Sequence, residues 1–197
     1  MANANRPTGL SPVRSILGAP FNEQVQLYSI ASAYTTALYI GDPVISSGTS
    51  DAQGIAGITL AATTGAIRGV IVGLGTSPGL IANPQNLDIT YRPAAAQTKT
   101  WYALVCDDPN MIFEVQEIGT GTPFTAAEVG LNCNLASGTG NGFVSGWQLD
   151  NSTEGTTNTL QVRLLGLAQR QDNAFGQYAK WLVKINNSEF YLGNAGL

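Results

Sequence analysis

An all-β fold is predicted by three features of this sequence: side-chain alternation with a period of two, closely spaced turn residues, and no helical pattern longer than a turn or two. The alternation is clearest in residues 100–117, TWYALVCDDPNMIFEVQE. Trp101, Ala103 and Val105 alternate with Tyr102, Leu104 and Cys106. After Asp107-Asp108-Pro109-Asn110, the residues Met111, Phe113 and Val115 alternate with Ile112, Glu114 and Gln116. Asp and Asn bond their own backbone and Pro presets φ, so two such runs around this tetrad predict a β-hairpin. The first strand is apolar on both faces and belongs in the middle of a sheet, whereas Glu114 and Gln116 give the second a polar face.

In chain order, residues 1–22 read as an extended arm. Pro7, Pro12 and Pro20 with Gly9 and Gly18 prevent a helix or a central strand. Leu10, Val13, Ile16 and Leu17 are too apolar for a solvated leader, so the arm is expected to lie on a surface, one that a neighbouring subunit can supply. Short strands follow at 25–30 and 36–40, then the turn Gly41-Asp42-Pro43 and a third run from Val44. Residues 46–51, SSGTSD, read as a loop. Strands at 58–61 and 66–72 come next, with Gly69 and Gly73 marking bends. Residues 75–97 hold three prolines and little periodicity, and form a long connection with one short strand at 87–91. Such a loop is functional or packs on a neighbour.

Beyond the 100–117 hairpin, Thr125-Ala-Ala-Glu128 fits a capping box and Gly130 a stop, which predicts the one short helix. Strands at 131–136, 144–149, 159–170, 179–186 and 189–192 complete the set. In 159–170, Leu160, Val162, Leu164 and Ala168 share a face; in 179–186, Trp181, Val183 and Ile185 oppose Lys180, Leu182 and Lys184. The halves echo each other. LYIGDPVISSG followed by AIRGVIVGLG is matched by EVGLNCNLASG followed by LQVRLLGLAQ, with Gly before a strand and a later strand bent at Gly. The expected organisation is an arm (1–22), a β unit (23–97) with the loop 75–97, and a similar β-barrel or sandwich unit (98–197) built on the hairpin.

Composition narrows the function classes. Charged residues are 11% of the chain, against about 25% in an average soluble domain, so the surface is neutral, polar and poorly defended against association. A net charge of -4 with nine scattered Lys and Arg excludes the clustered basic patch that nucleic acid needs. The start lacks a signal-peptide core and no apolar run reaches the roughly 18 residues of a membrane span, so no membrane is expected. Cys106 and Cys133 lack CxxC spacing and read as free thiols of a protein made in a reducing cytoplasm.

Histidine is absent, which removes Ser-His-Asp and Cys-His catalysis and His-based metal sites. The best remaining cluster is Asp107, Asp108, Asn110, Glu114 and Glu117. Its oxygen ligands suit Ca²⁺, but it lacks EF-hand order, and alternate strand residues splay to opposite faces. A turn and a solvated edge account for it, and neither metal nor cofactor is expected. Trp101, Trp147 and Trp181 with the tyrosines read as core or interface before carbohydrate platform. Asn151-Ser-Thr and Asn186-Asn-Ser match the glycosylation pattern by accident.

The opening MANANRPTGLSPV, IGDPVISSG with AIRGVIVGLG, YALVCDDPNMIFEVQE, VGLNCNLASGTG and the closing LGLAQRQDNAFGQYAKWLVKINN resemble, in the same order, the capsid decoration or cement proteins of tailed bacteriophages. The resemblance implies a noncatalytic viral structural protein of the head exterior, assembled in the host cytoplasm, a homotrimer or dimer that joins major capsid subunits. It also implies a β-tulip, jelly-roll or Ig-like topology without choosing among them. Contact with the shell or a sister subunit is expected through Arg6, Leu10, Val13, Arg14, Ile16 and Leu17 of the arm and Leu80, Ile81, Tyr91 and Arg92 of the long loop. The alternative, a receptor- or glycan-binding module of a tail or head fibre, requires exposed aromatics gathered in a groove. An enzyme requires a pocket with convergent polar groups.

Overall fold

The computed structural model describes residues 3–80, 89–191, 193 and 196. The chain is all-β. After β1 (Ser11–Ser15) come β2 (Gln26–Ile30), β3 (Leu38–Tyr39), β4 (Pro43–Ser50), β5 (Ala56–Leu60), β6 (Gly69–Gly75), β7 (Tyr91–Arg92) and β8 (Trp101–Cys106). Five of these close a barrel in the order β2-β5-β4-β6-β8. As its two apolar faces predict, β8 is central, with β2 on one edge and β6 on the other. Its alternate residues Trp101, Ala103 and Val105 fill the barrel with Tyr28, Ile30 and Ile71.

The serine-rich stretch expected as a loop is the outer half of β4, paired at Ser46↔Ile58 and Ser50↔Ala56. Its composition reports exposure, because this half of the hairpin projects into solvent. The turn comes later, where the Asp51 carboxylate accepts the N–H groups of Gln53 and Ile55. The strand expected at 36–40 shortens to β3, which pairs with β7; of the strand expected at 87–91 only Tyr91 is in a strand, Ile89 and Thr90 are irregular, and residues 87 and 88 lie outside the described residues.

The hairpin expected over 100–117 does not form. β9 (Met111–Gln116) follows a tight turn in which Met111 N–H donates to the Asp108 carbonyl (3.1 Å) and Asn110 N–H to the Asp108 carboxylate (2.8 Å). It then enters a different sheet, between β1 and β14 (Lys180–Ile185). Turn chemistry is as predicted; partner choice is not, because each strand has both edges taken by others. The change of sheet therefore falls at 107–110 rather than at 97/98. The capping-box segment is a single 3-10 turn, Ala126–Glu128, with Thr125 and Glu128 bonded reciprocally, and another such turn spans Pro78–Leu80. The remaining strands are β10 (Asn132–Cys133), β11 (Leu135–Ala136), β12 (Gln148–Leu149) and β13 (Val162–Leu167), and the second sheet has the order β1-β9-β14-β13-β10.

The echo between the halves extends to register. β9 occupies the place of β2, β10 with β11 that of β4, β12 that of β5, β13 that of β6 and β14 that of β8. β14 joins β9 and β13, β13 joins β10, and β11 joins β12. A parallel bridge at Glu117↔Leu149 returns to the end of β9, as the parallel contact Ser29↔Gly57 returns from β5 to β2. Pro43↔Val70 and Val44↔Gly69 correspond to Asn132↔Arg163 and Cys133↔Val162. Bulges fall at Val72 and Leu165, each before a glycine, Gly73 and Gly166. Gly41 and Gly130, each two residues before the paired strand start, have φ of 94° and 95°, where a side chain would be strained. The second circuit is looser, since β10, β11 and β12 are two residues each.

The arm lies on its own chain. β1 pairs antiparallel with β9, Ser11 opposite Glu114 and Ser15 opposite Met111, and Leu10 is buried in a core that spans both circuits, with Val70, Cys106, Phe113 and Trp181. Gln116, expected on a polar outer face, is 2% exposed. Its amide accepts from Arg6 N–H (3.0 Å) and donates to the carbonyls of Ala4 (2.8 Å) and Tyr178 (2.9 Å). Asn3 extends the attachment to Ala174 and Gln177. Replacing Gln116 with Ala strands these buried backbone groups. The expected loss is about 1–3 kcal/mol in denaturant unfolding, with faster hydrogen exchange at Arg6; unchanged exchange there would refute this anchoring role.

Candidate functional site

The crossover between β8 and β9 walls an open cleft of about 630 Å³, whose other sides are Leu27 and Tyr28 of β2, Arg68, and Phe190 near the C-terminus. A fixed network lines it. Arg68 Nε donates to the Tyr28 hydroxyl (2.9 Å), which donates to Asp107 Oδ2 (2.6 Å). The guanidinium is 4.0 Å from Asp107 and 3.7 Å from Glu189, and lies 4.1 Å from the Phe190 ring centroid. Glu189 is held by the N–H and hydroxyl of Ser46 (3.1 and 2.6 Å). Burial, reinforced by Asp107, pushes the Tyr28 phenol up to about 12, so it remains a neutral donor. Asp107 and Glu189 thus flank the one guanidinium while Asp108 lines the same cleft, so carboxylates outnumber the cation there.

Next to it stands the tip of the arm. After β1 the chain reverses through a turn in which Gly18 N–H donates to the Ser15 carbonyl (2.9 Å), and it returns along the outer edge of β1 with Phe21 N–H on the Val13 carbonyl (3.0 Å). This return covers an otherwise open strand edge. Val13, Ile16 and Leu17 are 39%, 47% and 85% exposed, and Arg6 and Arg14 are also exposed. Ile16 N–H donates to the Asn110 carbonyl (2.8 Å), which ties the tip to the crossover.

Two residues expected at a contact surface are interior. Leu10 belongs to the core. Arg92 is 0% exposed, its guanidinium donating to the carbonyls of Ala31, Tyr34, Thr36 and Pro93 and lying 5.4 Å from the Tyr34 ring centroid. An Arg in a proline-containing loop reads as solvated, yet here it satisfies carbonyls of the 31–36 turn that no strand partner reaches. Tyr91 is half-buried and stacked on Tyr39, 5.2 Å between centroids. Leu80 ends the first 3-10 turn, and Ile81 lies outside the described residues. Tyr91 and Arg92 are thus less exposed than Val13, Ile16 and Leu17 of the arm, and sequence reasoning missed Arg68, which the barrel sets beside Tyr28, and Glu189 and Phe190, which the return of the chain after β14 brings to Arg68.

The acidic cluster is dispersed. Asp107 and Asp108 border the cleft, Glu114 pairs with Arg170 (2.9 Å) and Lys180 (3.5 Å), and Glu117 is 0% exposed, its carboxylate accepting from Trp181 Nε1 (2.8 Å). All three tryptophans are buried; the exposed phenylalanines 143, 175 and 190 sit on separate segments. Cys106 and Cys133 are buried, and burial pushes the Cys106 thiol up to about 12 and Cys133 further, so neither ionises as a nucleophile must. Asn151 and Asn186 of the glycosylation tripeptides are 3% and 5% exposed. No family model, curated protein or solved structure matches the chain.

Burial pushes the Glu117 carboxyl from 4.5 up to about 7, against the hydrogen bond from Trp181, and Asp42 from 3.8 up to about 6, against bonds from Ser145 and Tyr39. Folded values above unfolded ones mean that stability is full below the unfolded values and is lost as pH rises through the folded values. The protein is therefore expected to be most stable below about pH 4 with respect to these groups and to lose roughly 3 kcal/mol from Glu117 by pH 8. Glu117→Gln keeps an acceptor for Trp181 and should raise the melting temperature at pH 8 while flattening the profile from pH 5 to 8. An unchanged slope would refute this assignment.

Proposed function

We propose that this protein is a noncatalytic viral structural protein, a decoration or cement protein of a bacteriophage head that binds the outer shell and links neighbouring major capsid subunits. The observation that carries the reading is the arm tip: Val13, Ile16 and Leu17 are exposed on a hairpin bonded to β9 along β1 and, through Ile16 N–H, to the Asn110 carbonyl. Apolar side chains presented on a fixed frame lose little entropy on docking. A surface poor in charge offers little repulsion to close neighbours, and a repeating shell turns modest single contacts into firm attachment. The resemblance to phage cement proteins points the same way. The scattered carboxylates and buried tryptophans support this reading over an enzyme and over the glycan-binding fibre module.

Purified protein added to decoration-free heads should occupy equivalent positions regularly in cryo-electron micrographs, and Ile16→Ser with Leu17→Ser should lower occupancy at least about tenfold while leaving the melting temperature nearly unchanged, since exposed side chains contribute little to folding. Random or absent attachment of the unaltered protein would overturn the proposal, and specific binding on a glycan array would favour the fibre module.

A further inference from the structure

We infer that a second copy of this chain receives the arm tip, each copy's tip entering the other's acidic cleft. The inference rests on the tip being a docking element and adds its partner: the shell is then met by paired copies rather than by a free tip, and loss of pairing lowers head occupancy through lost multivalency. Leu17 is 85% exposed, so the tip does not fill the cleft beside its own root. The two surfaces match in chemistry. The cleft offers apolar Leu27, Pro109 and the half-exposed Phe190, together with more carboxylate than its single guanidinium balances. The tip offers Ile16 and Leu17 with exposed Arg14 immediately behind. Leu17 then packs against Leu27 and Phe190 while Arg14 approaches Asp108, whose Oδ1 accepts the local Asn110 N–H.

Position selects a two-fold arrangement. The Ile16–Asn110 hydrogen bond sets the tip next to the wall formed by residues 107–109. A patch carrying a projection and its matching hollow side by side meets the same patch turned through 180°, and both contacts form at once, closing the assembly at two.

Light scattering and native mass spectrometry of the full chain at micromolar concentration test this. A dimer is expected, with Arg14→Asp and Asp108→Arg each weakening it at least about tenfold and a 1:1 mixture of the two restoring association as heterodimer, because both charge pairs are then complementary. Leu17→Ser should weaken it without touching charge, and circular dichroism melting confirms that each variant is folded. A monomer, any stoichiometry other than two, insensitivity to these changes, or failure of the mixture to recover heterodimer overturns the inference. Head decoration by a monomeric protein would sink the exchange alone, whereas a dimer that ignores heads would sink only the cement function.

Discussion

β8 and β9 are each hydrogen-bonded on both edges, β8 by β2 and β6, β9 by β1 and β14, and the layout of the molecule depends on that saturation. Unpaired strand edges in an interior leave backbone polar groups without partners, so each strand is committed to its own circuit. Two strands joined by only four residues must then diverge, and the tetrad between them becomes a crossover. The crossover carbonyls and carboxylates are left to other partners. Tyr28 takes Asp107, Ile16 takes the Asn110 carbonyl, and Tyr191 reaches the Pro109 carbonyl (3.3 Å). The cleft is the space left where the two circuits part.

The same constraint explains the arm. In the first circuit β5 meets β2, the counterpart of β9, at the single pair Ser29↔Gly57; in the second, β12 is only two residues long and reaches the chain just past β9, at Glu117. Most of that edge of β9 is therefore vacant in the duplicated plan, and β1 fills it. The arm is thus a structural strand whose inner side completes a sheet and whose outer end projects. Attachment through Gln116 and Asn3 fixes the base of the projection, whose apolar tip stays exposed.

Polar groups inside this protein act as fasteners for irregular backbone. Arg92 holds the 31–36 turn, Gln116 holds the arm, and Gln161, buried, accepts from Leu135 N–H and donates to the Ala62 carbonyl across the two circuits. Each replaces a strand partner at a place where the sheet is interrupted. With so few charges in the chain, those that are buried have specific work, and the exposed surface is left nearly neutral.

Local alternation and turn chemistry sufficed to read the all-β class, the burial of Trp181, Val183 and Ile185 against Lys180 and Lys184, the Thr125–Glu128 cap, the Asp108 turn and the kinship of the two halves, because each depends on residues within a few positions of one another. Tertiary structure alone decided that β8 and β9 part, that Leu10 and Arg92 turn inward, and that Arg68, Glu189 and Phe190 meet Tyr28 beside the crossover. Those outcomes are settled by competition for strand edges among segments far apart in the chain, such as β1 and β14 on the two edges of β9, and hydrogen-bonding capacity at an edge leaves no periodic mark in the sequence that supplies it.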